Sequence, residues 1–426
     1  MSRWLLLPLV IPFLAHAETV TLTMKQAVAI ALQQNPDIAL ARIDEQKAAL
    51  NVRLMQDPFR PKIIAGSGAA YTNGYPLSVE GSGPSIVQAV ATQYLVNKRQ
   101  SYLVAEAREN ARGAELSTGS KSDEVAYQVV SLYLDADKAR RLSDTAAREV
   151  EELIKISKAV APRVDEGKEL PIENTRANVN ILKARQQLSF LVDDEDIAEQ
   201  QLAVALGRSP EDRVRTSDAE RPAPATPLSE KAALETAIAT NKDIRKLDSA
   251  MTAKGLDVKA DHASRYPRID LLAQYALFAS YNHYSQYFRQ FQPHNGEIGI
   301  SIQMPLLLGP GVKAQMSLAE ADIAHMRIEK SQLQRRIALD VHRAYQNVEK
   351  ARTAREVAQA DLQLAREQLS IVLAQAGEGR VAMRQVEEAH FAESEKWATF
   401  FDADAAVERA QYEVLRHTGE IIAALR

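Results

Sequence analysis

Cysteine is absent from the 426-residue chain. That excludes disulfides, thiolate metal sites, thiol catalysis and an N-terminal lipid-carrying cysteine. Glycine and proline are sparse, at 17 each, so long uninterrupted elements are possible. Neither sign of charge dominates: 52 Lys and Arg stand against 56 Asp and Glu, for a net charge of -4. No electrostatic case for a nucleic-acid partner exists at that balance. The eight histidines are scattered, and His283 and His294 share an aromatic stretch without a ligand-spacing pattern. No glycine-rich phosphate loop follows a strand, and no acid pair or Ser-His-Asp set has a supporting context. Nothing therefore points to an enzyme, a metal or a cofactor. After the first residues no run reaches the roughly 18 to 20 apolar residues of a membrane-spanning helix. Strands that cross a membrane give a much weaker signal per segment, so that route stays open.

What is present begins at the N-terminus. Arg3 supplies a positive start, residues 4–14 form an apolar run, and Ala15-His16-Ala17 is a small-x-small site. This predicts a secretory signal over 1–17, with cleavage leaving Glu18 first.

The body of the chain repeats itself. Asn35-Pro36-Asp37-Ile38 returns as Asn241-Lys242-Asp243-Ile244, and Pro61 returns as Pro267 at the same spacing. Farther on, Val125, Val129 and Tyr133 match Ile337, Val341 and Tyr345; Gly167 matches Gly379, and Ala177 matches Ala389. The spacing of this second set is slightly longer, which a short insertion in the Tyr- and Phe-rich stretch 281–291 explains. The expected organisation is a signal at 1–17, a first repeat at 18–207, a linker at 208–228 and a second repeat at 229–426. The linker is polar and carries Pro210, Pro222, Pro224 and Pro227.

Each repeat reads in the same order. A helix comes first, over about 24–56 and 230–264, with Thr23 and Ser229 as N-caps. Two strand-like runs follow. Ile298, Ile300, Ile302 and Met304 alternate with Glu297, Gly299, Ser301 and Gln303, the period of a strand with one apolar and one polar face. Ile269, Leu271, Ala273, Tyr275, Leu277 and Ala279 do the same opposite Asp270, Gln274 and Ser280. In the first repeat 62–75 and 85–95 are fainter strands around a loop with Pro76, Gly81, Gly83 and Pro84.

Very long helices complete each repeat. Val125, Val129, Leu132, Ala136, Ala139, Leu142, Ala146, Val150 and Leu153 are spaced by threes and fours, as are Ala358, Leu362, Ala365, Leu369, Val372 and Ala376. Ile181, Ala184, Leu188, Leu191, Ala198, Leu202 and Ala205 continue the habit, with Glu195 in one seam slot. Heptads with many small seam residues predict close-packed coiled coils. A narrow apolar stripe suits a wall of helices better than a thick globular core. A helix of about 60 residues is roughly 90 Å long. Ser117-Thr118-Gly119-Ser120 is the stretch where the first long helix is expected to break or bend.

Four strands cannot close a barrel, and an open edge in lipid leaves backbone groups unpaired at several kcal/mol each. Strands from several chains must combine, and three chains give about twelve. Alternating apolar and polar residues fit lipid on one face and water on the other. Tyr275, Phe278, Tyr281, Tyr284, Tyr287, Phe288 and Phe291 fit an interfacial girdle and outer loop.

A signal, duplicated halves, strand pairs and long helices in this order resemble the TolC family of outer-membrane efflux proteins, over essentially the whole mature chain. Two helix–turn–helix tips carry the sharpest local likeness: the segment 166–177, Glu-Gly-Lys-Glu-Leu-Pro-Ile-Glu-Asn-Thr-Arg-Ala, and the segment 378–389, Glu-Gly-Arg-Val-Ala-Met-Arg-Gln-Val-Glu-Glu-Ala. Met304-Pro305-Leu306-Leu307-Leu308-Gly309-Pro310-Gly311 resembles the family's strand-to-helix passage, whereas Gln93-Tyr94-Leu95-Val96-Asn97 lacks the proline and the glycine pair.

The resemblance implies a mainly α fold with β. Duplicated coiled-coil helices and four transmembrane strands per chain would form a trimeric 12-stranded β-barrel on an α-helical barrel. It implies an exit duct of a tripartite efflux or secretion system, in the outer membrane and extending into the periplasm. The implied partners are two further copies, a periplasmic adaptor, an inner-membrane pump and outer-membrane lipid. By position, Glu388 matches a gate acid, Gln385 stands where a second acid is common, Glu173 is the first-repeat counterpart, and Arg176 sits opposite Glu388 in the repeat. A Glu388–Arg176 ion pair between hairpins would be a latch. Gly167, Lys168, Gly379 and Arg380 would mark the tips where the adaptor docks. The alternatives are a periplasmic adaptor with one coiled-coil hairpin, or a coiled-coil structural protein without a pore. Duplication and amphipathic strands at matched positions argue against both.

Overall fold

The computed structural model describes residues 19–68, 85–167, 169–217, 219, 229–278, 292–306 and 309–425. The expected signal, the loop with Pro76, Gly81, Gly83 and Pro84, most of the linker, Tyr281, Tyr284, Tyr287, Phe288, Phe291, His283 and Lys168 lie outside them. In chain order the elements are β1 (Thr19–Leu22), α1 (Met24–Gln34), α2 (Pro36–Gln56), a short 3-10 turn (Asp57–Phe59), β2 (Lys62–Gly68), β3 (Ser85–Val96), α3 (Lys98–Asp165), α4 (Pro171–Ala205), β4 (Arg213–Thr216), α5 (Glu230–Thr240), α6 (Lys242–Ala263), β5 (Arg268–Phe278), β6 (His294–Gln303), α7 (Pro310–Gly377), α8 (Met383–Thr418) and α9 (Ile421–Ala424). The chain divides into two compact units, one of residues 1–39, 120–241 and 336–426 and one of 40–119 and 242–335.

The helix expected over 24–56 is two helices. Pro36 forces the preceding residue out of the α region, and Asn35 is extended, with φ -62° and ψ 129°. Its side chain then satisfies both sides of the break. Asn35 Oδ1 accepts from Asp37 N at 2.9 Å, while Nδ2 donates to Ala205 O at 2.8 Å. The helix expected over 230–264 breaks likewise at Asn241, with φ -56° and ψ 121°. The Asn-x-Asp-Ile signature thus marks a helix junction. Thr23 and Ser229 cap α1 and α5 through their side chains.

The first unit is built around a helical core. Met24, Ile38, Val125, Val129, Leu202 and Leu415 belong to one fully buried cluster. Its lid is a two-stranded parallel sheet of β1 and β4, with Val20 opposite Val214, a pair of strands additional to the four expected. Tyr133, buried beneath that sheet, has its hydroxyl 3.0 Å from Leu22 O and 2.9 Å from Ser217 O, and it accepts from Ser217 N. The predicted seams are buried at Val125, Val129, Ala136, Ala139, Ala146, Val150 and Leu153, and at Ala358, Leu362, Ala365 and Leu369. Glu195, the acid in the seam, accepts a hydrogen bond from Ser143 Oγ.

The second unit carries the strands as one antiparallel sheet in the order β2-β3-β5-β6. The register sets Ile269 against Ile302, Leu271 against Ile300 and Ala273 against Ile298 on one face, and Arg268 against Gln303 and Asp270 against Ser301 on the other. Ile298, Ile300 and Ile302 are 78, 64 and 68 % exposed. Helix α3 runs through Ser117-Thr118-Gly119-Ser120 without the expected break. Outside bonds hold it there. Lys242 Nζ donates to Gly119 O at 3.0 Å, Lys246 Nζ lies 3.2 Å from Ser117 Oγ, and Thr118 Oγ1 reaches Ala41 O at 3.2 Å. Among the described residues no helix is long and apolar enough to cross a membrane.

Candidate functional site

The two tips, α3 to α4 and α7 to α8, belong to the first unit. Each long helix ends on a left-handed glycine, Gly167 at φ 72° and Gly379 at φ 74°. Their N–H groups return to Val164 O at 3.0 Å and Ala376 O at 3.1 Å. Nothing crowds either Cα, so the positive φ alone favours glycine there. Pro171 then starts α4 at a position where its missing N–H costs nothing.

Side chains tie the first hairpin to the second. Val150, Leu153, Ile156 and Val160 of α3 and Ala184 of α4 share a buried cluster with Met383 and Val386 of α8. Beside it, Arg163 Nη1 reaches Ala376 O at 3.4 Å, and its Nε lies 3.7 Å from Glu169 Oε1. Glu169 is only 7 % exposed. Its Oε1 accepts the N–H of Met383 at 3.2 Å. Helix α8 has no side-chain cap of its own, because Ala382 occupies the N-cap. Glu169 supplies that missing acceptor from the other hairpin.

One turn along α8, Glu387 is 4 % exposed. Asn180 of α4 donates to its Oε2 at 2.6 Å. Burial pushes the Glu387 carboxyl above its ordinary range; the Asn180 bond and Arg176 oppose this, and the carboxylates of Glu173 and Glu388 add to it. These residues line a groove of about 630 Å³ between α4 and α8, with Ile172, Val179 and Phe391 as apolar lining and Lys183 and Arg384 as cations.

The residues expected at the pore end lie on or beside this groove. Glu388 is exposed and pairs with Arg384 at 3.3 Å on its own helix. Gln385 is exposed on the same helix. Arg176 Nη1 lies 2.7 Å from both Glu173 oxygens. Arg176 and Glu388 therefore face one groove while each pairs within its own helix. Arg380 pairs with Glu378 at 2.9 Å in the second turn. Glu387, Asn180, Arg163 and Glu169 were not singled out from the sequence. The signal for Glu387 was its seam register, four residues after Met383 and in step with the apolar positions. No cluster of histidine and acidic residues able to hold a metal ion occurs among the described residues, and His294 Nδ1 instead lies 2.7 Å from the Tyr275 hydroxyl.

Comparison with known proteins agrees with this architecture. The family model for outer membrane efflux proteins matches residues 27–208 and 233–420. The outer membrane efflux protein BepC of Brucella suis biovar 1 (strain 1330) is 22% identical over 347 residues, which is 80% of this chain and 72% of BepC. The Campylobacter jejuni CmeC outer membrane channel aligns with a TM-score of 0.74 at 14% identity, over 93% of this chain and 86% of CmeC. The open state of the Neisseria gonorrhoeae MtrE outer membrane channel aligns with a TM-score of 0.67 at 15% identity, over 94% of this chain and 88% of MtrE. At these identities the solved structures share the fold.

Proposed function

Because the chain belongs to the outer membrane efflux protein family, we propose that three copies assemble its exit duct, each giving four strands to a 12-stranded barrel. Members of that family are passive outer-membrane ducts of efflux systems, with an extension into the periplasm, and not enzymes. The observation that supports closure between copies is the sheet itself. In the order β2-β3-β5-β6, strands β2 and β6 each keep one unpaired edge. An edge in lipid costs several kcal/mol for each orphaned backbone group, and pairing β2 of one copy with β6 of the next removes every edge. The outward Ile298, Ile300 and Ile302 then meet lipid and the Arg268, Asp270 and Gln303 face meets water. Leu40, Ile43, Leu50 and Leu54, exposed at heptad spacing on α2, support further helix contacts between copies.

The finer assignments belong to the same reading. Residues 1–17 are the export signal, and 18–207 and 229–426 are two structural repeats joined by 208–228. Paired element lengths support the duplication: α1 and α5 have 11 residues each, α3 and α7 have 68 each, and α4 and α8 have 35 and 36. A periplasmic adaptor docks at the tips around Gly167, Lys168, Gly379 and Arg380 and connects the duct to an inner-membrane pump. Glu388, Gln385, Glu173 and Arg176 line the inner end, where three-fold repetition concentrates carboxylates and favours cations.

The chain has no cysteine, so introduced thiols report cleanly. Ile63→Cys in β2 combined with Ile300→Cys in β6, two residues on the same face of the sheet, is expected to give oxidised species ending at a trimer. The detergent-purified protein is expected to give small cation-selective steps in planar bilayers. A monomer without conductance that stays soluble when detergent is removed overturns the reading.

A further inference from the structure

A second cleft, in the strand-bearing unit, has a chemistry unlike that of the tips. It encloses about 480 Å³ where β3 meets α3, α6 meets β5 and β6 ends, and Tyr94, Arg99, Tyr266, Arg268 and Gln303 line it. Arg268 is held in place on three sides. Its Nε donates to Asp270 Oδ2 at 2.8 Å, its Nη2 donates to Gln303 Oε1 at 2.6 Å, and its guanidinium lies 5.3 Å from the Tyr94 ring centre. These contacts leave donors of the fork uncommitted. Arg99 faces the cleft with a loose contact to Asp261 at 3.6 Å and remains 49 % exposed. Lys98 packs its ammonium 4.5 Å from the Tyr266 ring centre. The two cations that line the cleft, Arg268 and Arg99, each meet one carboxylate, Asp270 and Asp261, and two aromatic rings form firm walls.

A guanidinium fixed by its neighbours loses little further freedom on meeting an oxyanion, and paired guanidinium forks suit carboxylate or phosphate. From these features we infer that the cleft is a binding site for organic anions bearing a carboxylate or phosphate. The register puts Arg268 and Gln303 on the face opposite Ile298, Ile300 and Ile302. In the exit-duct reading, on which this inference rests, that face is the water-filled side. The ligand is therefore cargo in transit, and the duct pauses anions at the base of its barrel while its tip favours cations.

The test uses the full chain in detergent and carboxyfluorescein, an aromatic dye with several carboxylates, followed by fluorescence polarisation. Saturable binding is expected, weakened about tenfold or more by Arg268→Gln and by Arg99→Gln, and unaffected by Lys155→Gln, which removes an exposed cation elsewhere. Arg99 is half-exposed, so its variant keeps the test decisive if Arg268→Gln disturbs the sheet. Equal binding by all four proteins, or none by the wild type, overturns the inference. Repeating the titration in phosphatidylcholine nanodiscs separates the sources of anion. Displacement by benzoate or inorganic phosphate, with phosphatidylglycerol in the disc having no effect, supports cargo. Loss of dye binding when phosphatidylglycerol is added overturns cargo and gives the cleft to a lipid headgroup. Bilayer conductance of the same samples separates the two levels: conductance without dye binding sinks only the cleft, and dye binding without conductance sinks the duct.

Discussion

Glu169 closes the amino end of a helix to which it does not belong: its Oε1 accepts the N–H of Met383 at 3.2 Å, and the two residues sit on different hairpins of the tip. The bond runs one way only. The repeat counterpart of Glu169 is Val381, which offers no acceptor to the start of α4. The second hairpin is therefore fastened to the first by the first hairpin's own residue.

Removing that fastening has a measurable effect. Glu169→Ala strips α8 of its cap and leaves Arg163 without its carboxylate, and losses of about 1 to 2 kcal/mol are typical for a cap. Faster amide exchange is expected at residues 383–387, and noisier conductance in bilayers. Glu169→Gln keeps an acceptor oxygen and should recover most of the protection. Unchanged exchange in the alanine variant refutes the capping role.

Glu387 makes the same junction sensitive to pH. Burial raises its carboxyl above the ordinary range. A group whose pKa is higher folded than unfolded contributes most when protonated, and that contribution is lost as pH rises through the folded value. Acidification from neutral pH toward the ordinary carboxylate range, about 4 to 5, should therefore tighten the α4–α8 contact. Glu387→Gln should remove this dependence and protect residues 383–390 at neutral pH as acid does in the wild type. Exchange rates measured across that range decide it, and protection that falls on acidification reverses the sign.

Glu388 is expected to act on ions instead of on packing, because it is exposed and pairs with Arg384 on its own helix. Glu388→Gln should shift the reversal potential of a salt gradient toward zero without changing thermal stability. An unchanged reversal potential removes Glu388 from the proposed pore lining.

Tyr133→Phe tests the lid of the helical core. The hydroxyl serves Leu22 and Ser217; the Ser217 N–H keeps its 3.1 Å bond to Leu22 O, so the variant takes a donor from the Ser217 carbonyl, and leaving such a partner unsatisfied costs about 1 to 3 kcal/mol. The denaturation midpoint should fall accordingly, while bilayer conductance of the folded protein stays the same. A midpoint equal to wild type shows that water replaces the hydroxyl.

The sequence was most legible where a period governs. The alternation at 298–304 gave β6 and its faces, because each second side chain turns to the same side of a pleated strand. The buried seam of α3 followed from threes and fours. Local breaks were harder to read. Asn35 and Asn241 sit inside otherwise helical stretches, and only the junction geometry shows that they cap and do not continue. Strands β1 and β4 are four residues each, too short to display a period. At the tip, likeness by position drew attention to exposed Glu388, while its neighbour Glu387 is the acid that is buried and joins the hairpins. Sequence spacing placed both on one helix, but the rotation that hides one and exposes the other depends on α4 across the groove.

The two unpaired edges of the sheet have a genetic corollary. A copy with a defective β2 still offers a sound β6, so in the proposed trimer it enters the ring and spoils it. In a cell making sound and defective copies equally, only about one ring in eight is wholly sound if three chains join at random. Edge defects should therefore be dominant, whereas defects that prevent the helical core from folding should be recessive, because such chains never present an edge to their neighbours.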